Sequence, residues 1–214
     1  ATKNMYRILN ENGKDGYVFR TDLRLRPDPS VTPVCMGVDA AERYYASLGR
    51  TWERAAFIKA RVCAGDHSAG IKFLKNMEPF VWRKYLDYAA ISDAHDIRLR
   101  IRDHYKTKKG DITLPKHNMK LGRGGIRDIE FFTQTHQIIF GGRDKSIRSR
   151  ATITSLRAVA DKKWLPKVLV KDLIENYRFH RTIEHRLQMV NDAQTHELPN
   201  SDQGFARLAC LMGA

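Results

Sequence analysis

The feature that most constrains this chain is a change of period. Beyond Gly37 the apolar residues stop alternating and recur at three- and four-residue spacing, as helices with one buried face require. Residues 39–64 carry Tyr44, Tyr45, Leu48, Trp52, Phe57 and Ile58, interrupted at Gly49, which predicts two helical segments or one kinked helix. Short apolar pieces follow at 71–74 and 80–88. Over 91–105, Ile97, Ile101 and Tyr105 lie four apart on one predicted helix face, and Lys106-Thr107-Lys108-Lys109-Gly110 reads as a basic loop. Gly122-Arg123-Gly124-Gly125 opens a helix predicted over 126–140, with Gly141-Gly142 as its stop. Another helix is predicted over 151–162, and a long one from Pro166 in its first turn to about residue 192. Ser201 reads as the N-cap of a last helix, with Asp202 in its first turn.

Before Gly37 the period is two. Lys14-Asp15-Gly16, just after Asn12-Gly13, is turn chemistry, and residues 5–27 read as a hairpin remnant. Tyr17, Phe19, Leu23 and Leu25 are apolar, while Arg20, Asp22, Arg24 and Arg26 are charged. A strand here would set Asp22 on one face with three guanidiniums. Pro27, Pro29 and Pro33 end it. The expected fold is mainly α: a strand-bearing remnant over 1–34, then an all-α helical bundle over 35–214.

The balance of 38 Lys and Arg against 24 Asp and Glu, a formal charge of +14, calls for anionic partners: nucleotide, nucleic acid, inorganic phosphate or an acidic protein surface. Cys35, Cys63 and Cys210 are far apart and odd in number, with no CxxC or Cys/His spacing. They argue against a disulfide scaffold and for a reducing cytoplasm. No apolar run is long enough to span a bilayer, and no signal peptide opens the chain, so no membrane association is expected. Ala1-Thr2-Lys3-Asn4 lacks an initiator Met and Leu211-Met212-Gly213-Ala214 stops in apolar sequence, so both ends read as cuts in a longer chain.

Three constellations could carry chemistry. On the first strand, Asp22 is a hard oxygen ligand suited to Mg²⁺, and Arg20, Arg24 and Arg26 are forks suited to phosphate. The competing reading is a solvated strand face of mixed charge. In the second, glycines precede a helix whose free N–H groups and positive dipole end favour an anion. There Arg127, Glu130, Gln134 and Gln137 form one polar stripe opposite Ile126, Ile129 and Ile139. A solvated helix face explains that stripe equally well, and the glycines make neither a P-loop nor a dinucleotide fingerprint. In the third, Arg181, Glu184, His185 and Gln188 lie together at helical spacing, which favours a structural ion-pair ladder. A metal on His180, Glu184 and His185 is disfavoured, because the two histidines are five apart and share a face poorly.

Four blocks in natural order, VFRTDLRLRP, ERYYASLGRTWERAAFIKARVCAGD, KLGRGGIRDIEFFTQTHQIIFGGRD and RTIEHRLQMVNDAQTHELP, resemble the bifunctional glutamine synthetase adenylyltransferase/adenylyl-removing family from about residue 16 to the end. IRDIEF resembles the N-terminal, adenylyl-removing half. The resemblance implies a polymerase β-type nucleotidyltransferase remnant over 1–34, followed by the helical bundle. It implies removal of AMP from a tyrosine of glutamine synthetase by phosphorolysis, giving ADP, while the other half adds AMP from ATP. Mg²⁺ is implied as cofactor, and PII signal protein and glutamine as regulators. Asp22 falls on the family's third metal-binding carboxylate. The first two, an Asp-x-Asp after a Gly-Ser turn, are not found before residue 16, so an isolated fragment is expected to be inactive. Arg24 and Arg26 match the strand arginines, and Gly124, Gly125, Arg127 and Glu130 the glycine-rich helix start. Arg20, Arg24, Arg26 and Arg127, with the helix start, are the expected phosphate holders, and Glu130 the residue that orients Arg127 or a metal-bound water.

Three other readings compete, one of them a scaffold or protein-interaction bundle with catalysis residing elsewhere. PII uridylyltransferases share a related GG[IL]RD helix start, but fit the first and last blocks less well. A basic helical module binding nucleic acid is permitted by the charge, yet the chain has no compact recognition helix, zinc pattern or RNP-like aromatic pair.

Overall fold

The computed structural model describes residues 1–14, 16–84, 114–190 and 193–213. These form two compact units, 1–82 and 83–214. The helix predicted over 91–105 and the basic loop at 106–110 lie outside the described residues.

In the first unit, α1 (Thr2–Asn10) replaces the start of the expected hairpin remnant. Its i, i+4 pair Arg7–Glu11 spans 3.8 Å, a local contact a strand could not make. The turn is present: Gly13 and Gly16 exchange backbone hydrogen bonds of 2.9 and 3.2 Å. No strand follows it. Residues 17–27 are irregular, although Phe19 N–H donates to the Leu9 carbonyl and Thr21 N–H to Asn10 Oδ1. A strand needs a neighbouring backbone along its length, and among the described residues none runs beside this one. The Asp22 side chain instead accepts the Arg24 N–H at 2.8 Å, a local bond that competes with extended pairing. Tyr17, Val18, Phe19 and Leu25 are therefore left exposed rather than packed on one sheet face.

The helical reading of the next stretch holds. The break at Gly49 separates α2 (Val38–Ser47) from α3 (Thr51–Phe57), and α4 (His67–Asn76) and α5 (Glu78–Val81) follow. Their core is aromatic. Tyr45 meets Phe57 edge-on, with centroids 4.8 Å apart, and Phe80 at 5.3 Å. Glu53, almost fully buried, caps α3 by accepting the Arg50 N–H at 2.7 Å.

The second unit is built on α6 (Ile126–Phe140), α7 (Thr152–Asp161), α8 (Lys167–Met189) and α9 (Asp202–Met212), with a 3₁₀ turn at Lys145–Ile147. Predicted and observed limits agree within three residues. Pro166 sits one position outside α8, and Ser201 Oγ caps α9 by accepting the Gly204 N–H at 3.2 Å. Ile129, Leu156, Ala160, Val170 and Ile174 bury α6, α7 and α8 against each other. Met119, Ile183, Leu187, Leu198 and Leu208 join α8 to α9. Each of these side chains other than Ala160 contributes about 1.5–3 kcal/mol by leaving water. On α6, Ile138 is buried where Ile139 was expected. The far end of the polar stripe also turns inward. Gln137 is 1% exposed, with Nε2 2.7 Å from the Ile147 carbonyl and 2.8 Å from both the Ser149 carbonyl and Ser155 Oγ. Among the described residues no helix is long and apolar enough to cross a membrane.

Candidate functional site

Asp22 lies in the first unit, exposed, with both carboxylate oxygens held by Arg24. Oδ1 accepts the backbone N–H, and Oδ2 accepts Nε at 2.8 Å and Nη2 at 2.5 Å. These hydrogen bonds, with smaller contributions from the charges of Arg24 and Arg20, hold the Asp22 carboxyl below the usual aspartate range. Arg26 takes a different part. Its guanidinium donates to the Leu23 carbonyl at 2.9 Å and the Pro29 carbonyl at 2.7 Å, which braces the loop. So two of the three arginines expected beside Asp22 act on it. The described residues do not make a metal cage, since no three His, Cys, Asp or Glu side chains gather among them. Asp22 is a single hard-oxygen donor. A divalent cation would share it with carboxylates or phosphates that these residues do not supply.

In the second unit the glycine-rich helix start is built as an interlock. Segment 116–119 runs beside 196–199: Met119 N–H donates to the His196 carbonyl at 2.7 Å, and Leu198 N–H to the His117 carbonyl at 2.9 Å. The chain then turns at Asn118, whose Oδ1 accepts the Lys120 and Leu121 N–H groups. The first amides of α6 fold back on it. Ile126 N–H donates to the Met119 carbonyl at 3.0 Å and Arg127 N–H to the Lys120 carbonyl at 2.9 Å. Gly124 N–H donates to Asp128 Oδ2 at 2.9 Å. The helix-start donors expected to face an anion are thus used within the chain. Gly124 has φ +75°, the left-handed region. A Cβ on Gly125 would stand 2.6 Å from the Met119 carbonyl oxygen. Both glycines have backbone reasons to be glycine.

What remains available to an anion here are side chains. Arg127 projects from the first turn of α6 with its guanidinium carbon 4.8 Å from the Phe131 ring centroid, and its side chain is 41% exposed. Its Nη1 is 4.0 Å from Glu130 Oε2, at the outer limit of an ion pair. Glu130 Oε1 instead accepts the Tyr177 hydroxyl of α8 at 3.1 Å. Nearby on α8, buried Glu184 takes Arg181 Nη1 at 2.6 Å on one oxygen, with His196 Nδ1 2.9 Å from the other. Burial first, then the Lys120 charge, pushes the His196 imidazole below its ordinary range against the opposing pull of Glu184. His180 is likewise pushed down, by burial and then by His117. His185 is exposed while Glu184 is buried, so the weighed metal triplet does not converge. Of the expected ion-pair ladder the Arg181–Glu184 pair is present, whereas Gln188 reaches the Thr195 carbonyl at 3.5 Å and His185 is exposed.

Sequence reasoning missed Tyr177 and His196 as partners. Spacing along one helix links residues three or four apart, whereas Tyr177 and Glu130 are 47 apart. The Tyr177 position on the apolar side of α8 was the one signal in the sequence.

Comparison with known proteins gives consistent matches. The family model described as GlnD PII-uridylyltransferase matches residues 95–214, and that described as glutamate-ammonia ligase adenylyltransferase matches residues 1–76. The chain is 54% identical over 211 residues to the bifunctional glutamine synthetase adenylyltransferase/adenylyl-removing enzyme of Rhizobium meliloti (strain 1021), covering 99% of this chain and 21% of that protein. It is 51% identical over 212 residues to the protein of the same name from Brucella melitensis biotype 1, again 99% and 21%. The chain spans about a fifth of the length of these relatives.

Proposed function

The chain belongs to the family of bifunctional glutamine synthetase adenylyltransferases/adenylyl-removing enzymes, and we propose that it forms part of the half that removes AMP. The similarity over 99% of the chain at about 50% identity carries the family and does not choose between its two halves. The IRDIEF wording of α6 favours the adenylyl-removing half over the adenylating one.

In the proposed reaction an oxygen of inorganic phosphate attacks the phosphorus of the AMP–tyrosine ester of glutamine synthetase. The bond from phosphorus to the tyrosyl oxygen breaks, ADP leaves, and the tyrosyl oxygen takes up a proton. Such a transfer depends on positioning and charge neutralisation more than on covalent help. Arg20 and Arg24 are exposed cations of the kind that hold phosphate oxygens, and Arg127, considered by itself in the second unit, is a half-exposed cation of the same kind. Asp22 supplies one carboxylate toward Mg²⁺, which when bound neutralises phosphate charge. Glu130, held from α8 by Tyr177, flanks Arg127, Gly124 and Gly125 shape the loop before α6, and Arg26 braces the loop that carries Asp22. ATP serves the adenylating half, and PII signal protein and glutamine set the balance between the two.

The test is Asp22→Asn in the full-length protein. Release of ADP from adenylylated glutamine synthetase and phosphate should fall to background with the fold intact, since Asp22 is exposed and outside the core. Removal of AMP at near the wild-type rate would overturn the reading. The match of residues 95–214 to the PII-uridylyltransferase model favours a second reading. Transfer of UMP from UTP to PII protein, with no action on glutamine synthetase, would establish that one instead.

A further inference from the structure

We propose that Tyr177 is a positioning residue for Arg127, acting through Glu130. The inference rests on reading Arg127 as a cation that holds an anionic phosphate group. Arg127 and Glu130 stand three apart on α6, the spacing at which an arginine and a glutamate close into an ion pair. They stop at the outer limit of one: Nη1 and Oε2 are 4.0 Å apart. The other glutamate oxygen is held from a different helix, because the Tyr177 hydroxyl donates to Oε1 at 3.1 Å. The phenol is itself fixed. It is half-buried, its hydroxyl also meets the side chain of buried Thr152 at the start of α7, and its ring packs against the cluster of Ile129, Leu156, Val170 and Ile174. A bond from a rigid, half-buried phenol to a carboxylate is charge-assisted and therefore strong. It keeps Glu130 from folding onto Arg127.

The consequence for the guanidinium is direct. With Glu130 restrained, Arg127 stacks on Phe131 and keeps most of its donors for a ligand. Released, Glu130 would rotate onto Arg127 and cancel its charge. Tyr177 thus keeps a cation available without touching the ligand. A purely structural tie between α6 and α8 would affect stability alone.

The experiment uses the full-length protein, adenylylated glutamine synthetase and inorganic phosphate. Tyr177→Phe keeps the ring and removes the hydroxyl. The expected result is a KM for phosphate raised about tenfold, the size of one lost charge-assisted hydrogen bond, with kcat changed less than twofold. In a Glu130→Gln background, which lacks the charge that would capture Arg127, adding Tyr177→Phe should raise KM no further. An unchanged KM, or an equal increase in both backgrounds, would overturn the inference, as would a loss confined to the melting temperature. A wild-type protein that does not consume phosphate overturns the functional reading and this inference together. A wild-type protein that does, with an unaltered Tyr177→Phe variant, overturns the positioning role alone.

Discussion

Buried Glu184 has Oε1 2.9 Å from His196 Nδ1, which joins α8 to the segment that clasps residues 116–119. That imidazole, and the His180 imidazole one turn back on α8, both titrate below the ordinary histidine range because burial disfavours their charged forms. Groups around them add to the effect: Lys120 and Arg181 face His196 and His117 faces His180, while Glu184 opposes it.

The sign of the pH dependence follows. Below about 6.5 the unfolded chain binds protons at these histidines that the folded chain resists. Their contribution is fully present above that pH and is lost as pH falls through the lowered folded values. The protein should melt at a lower temperature at pH 5.5 than at pH 7.5. The double variant His180→Gln, His196→Gln should show a smaller difference between the two. An equal difference in thermal scans of both proteins would remove these histidines from the account.

Gln137 is the buried polar anchor of the 3₁₀ turn. Gln137→Leu keeps roughly the volume but removes the amide shared by the Ile147 and Ser149 carbonyls and Ser155 Oγ, leaving the one Ser155 hydroxyl proton, with Oγ 3.3 and 3.0 Å from the two carbonyls, to serve both. The expected loss is about 1–3 kcal/mol of unfolding free energy, from one carbonyl left without a donor. Urea denaturation would measure it, and a change under 1 kcal/mol would show that water or a shifted side chain replaces the amide.

The two glycines before α6 should respond differently to alanine. At Gly124 the cost is conformational, about 1–2 kcal/mol for an alanine in the left-handed region, because a Cβ there meets nothing within 4 Å. At Gly125 a Cβ would meet the Met119 and Gly122 carbonyl oxygens at 2.6 and 3.0 Å, both backbone atoms that cannot rotate away. Gly125→Ala should therefore cost more than Gly124→Ala and loosen the clasp. Melting temperatures in the reverse order would refute the interlock as described.

Helix positions from Gly37 onward, where described, were legible because each helix announces itself locally. Apolar spacing, the stop at Gly141, the cap at Ser201 and the break at Gly49 are properties of neighbours in sequence. The expected strand around Asp22 was misjudged for the complementary reason. Alternation describes one edge of a pair, and residues 17–27 have no partner backbone among the described residues. The same limit applies to the candidate site. Sequence placed Arg127 and Glu130 on one helix face and Asp22 among arginines, since those are matters of spacing. It could not tell which side chains would be held apart and which would close. Tertiary packing decided that Gln137 is buried rather than solvated, that the α6 amides are used within the chain, and that the Tyr177 hydroxyl reaches Glu130. Local periodicity records which face of an element is apolar, whereas a hydrogen bond across 47 residues exists only once two helices have been packed at a fixed distance by the core between them.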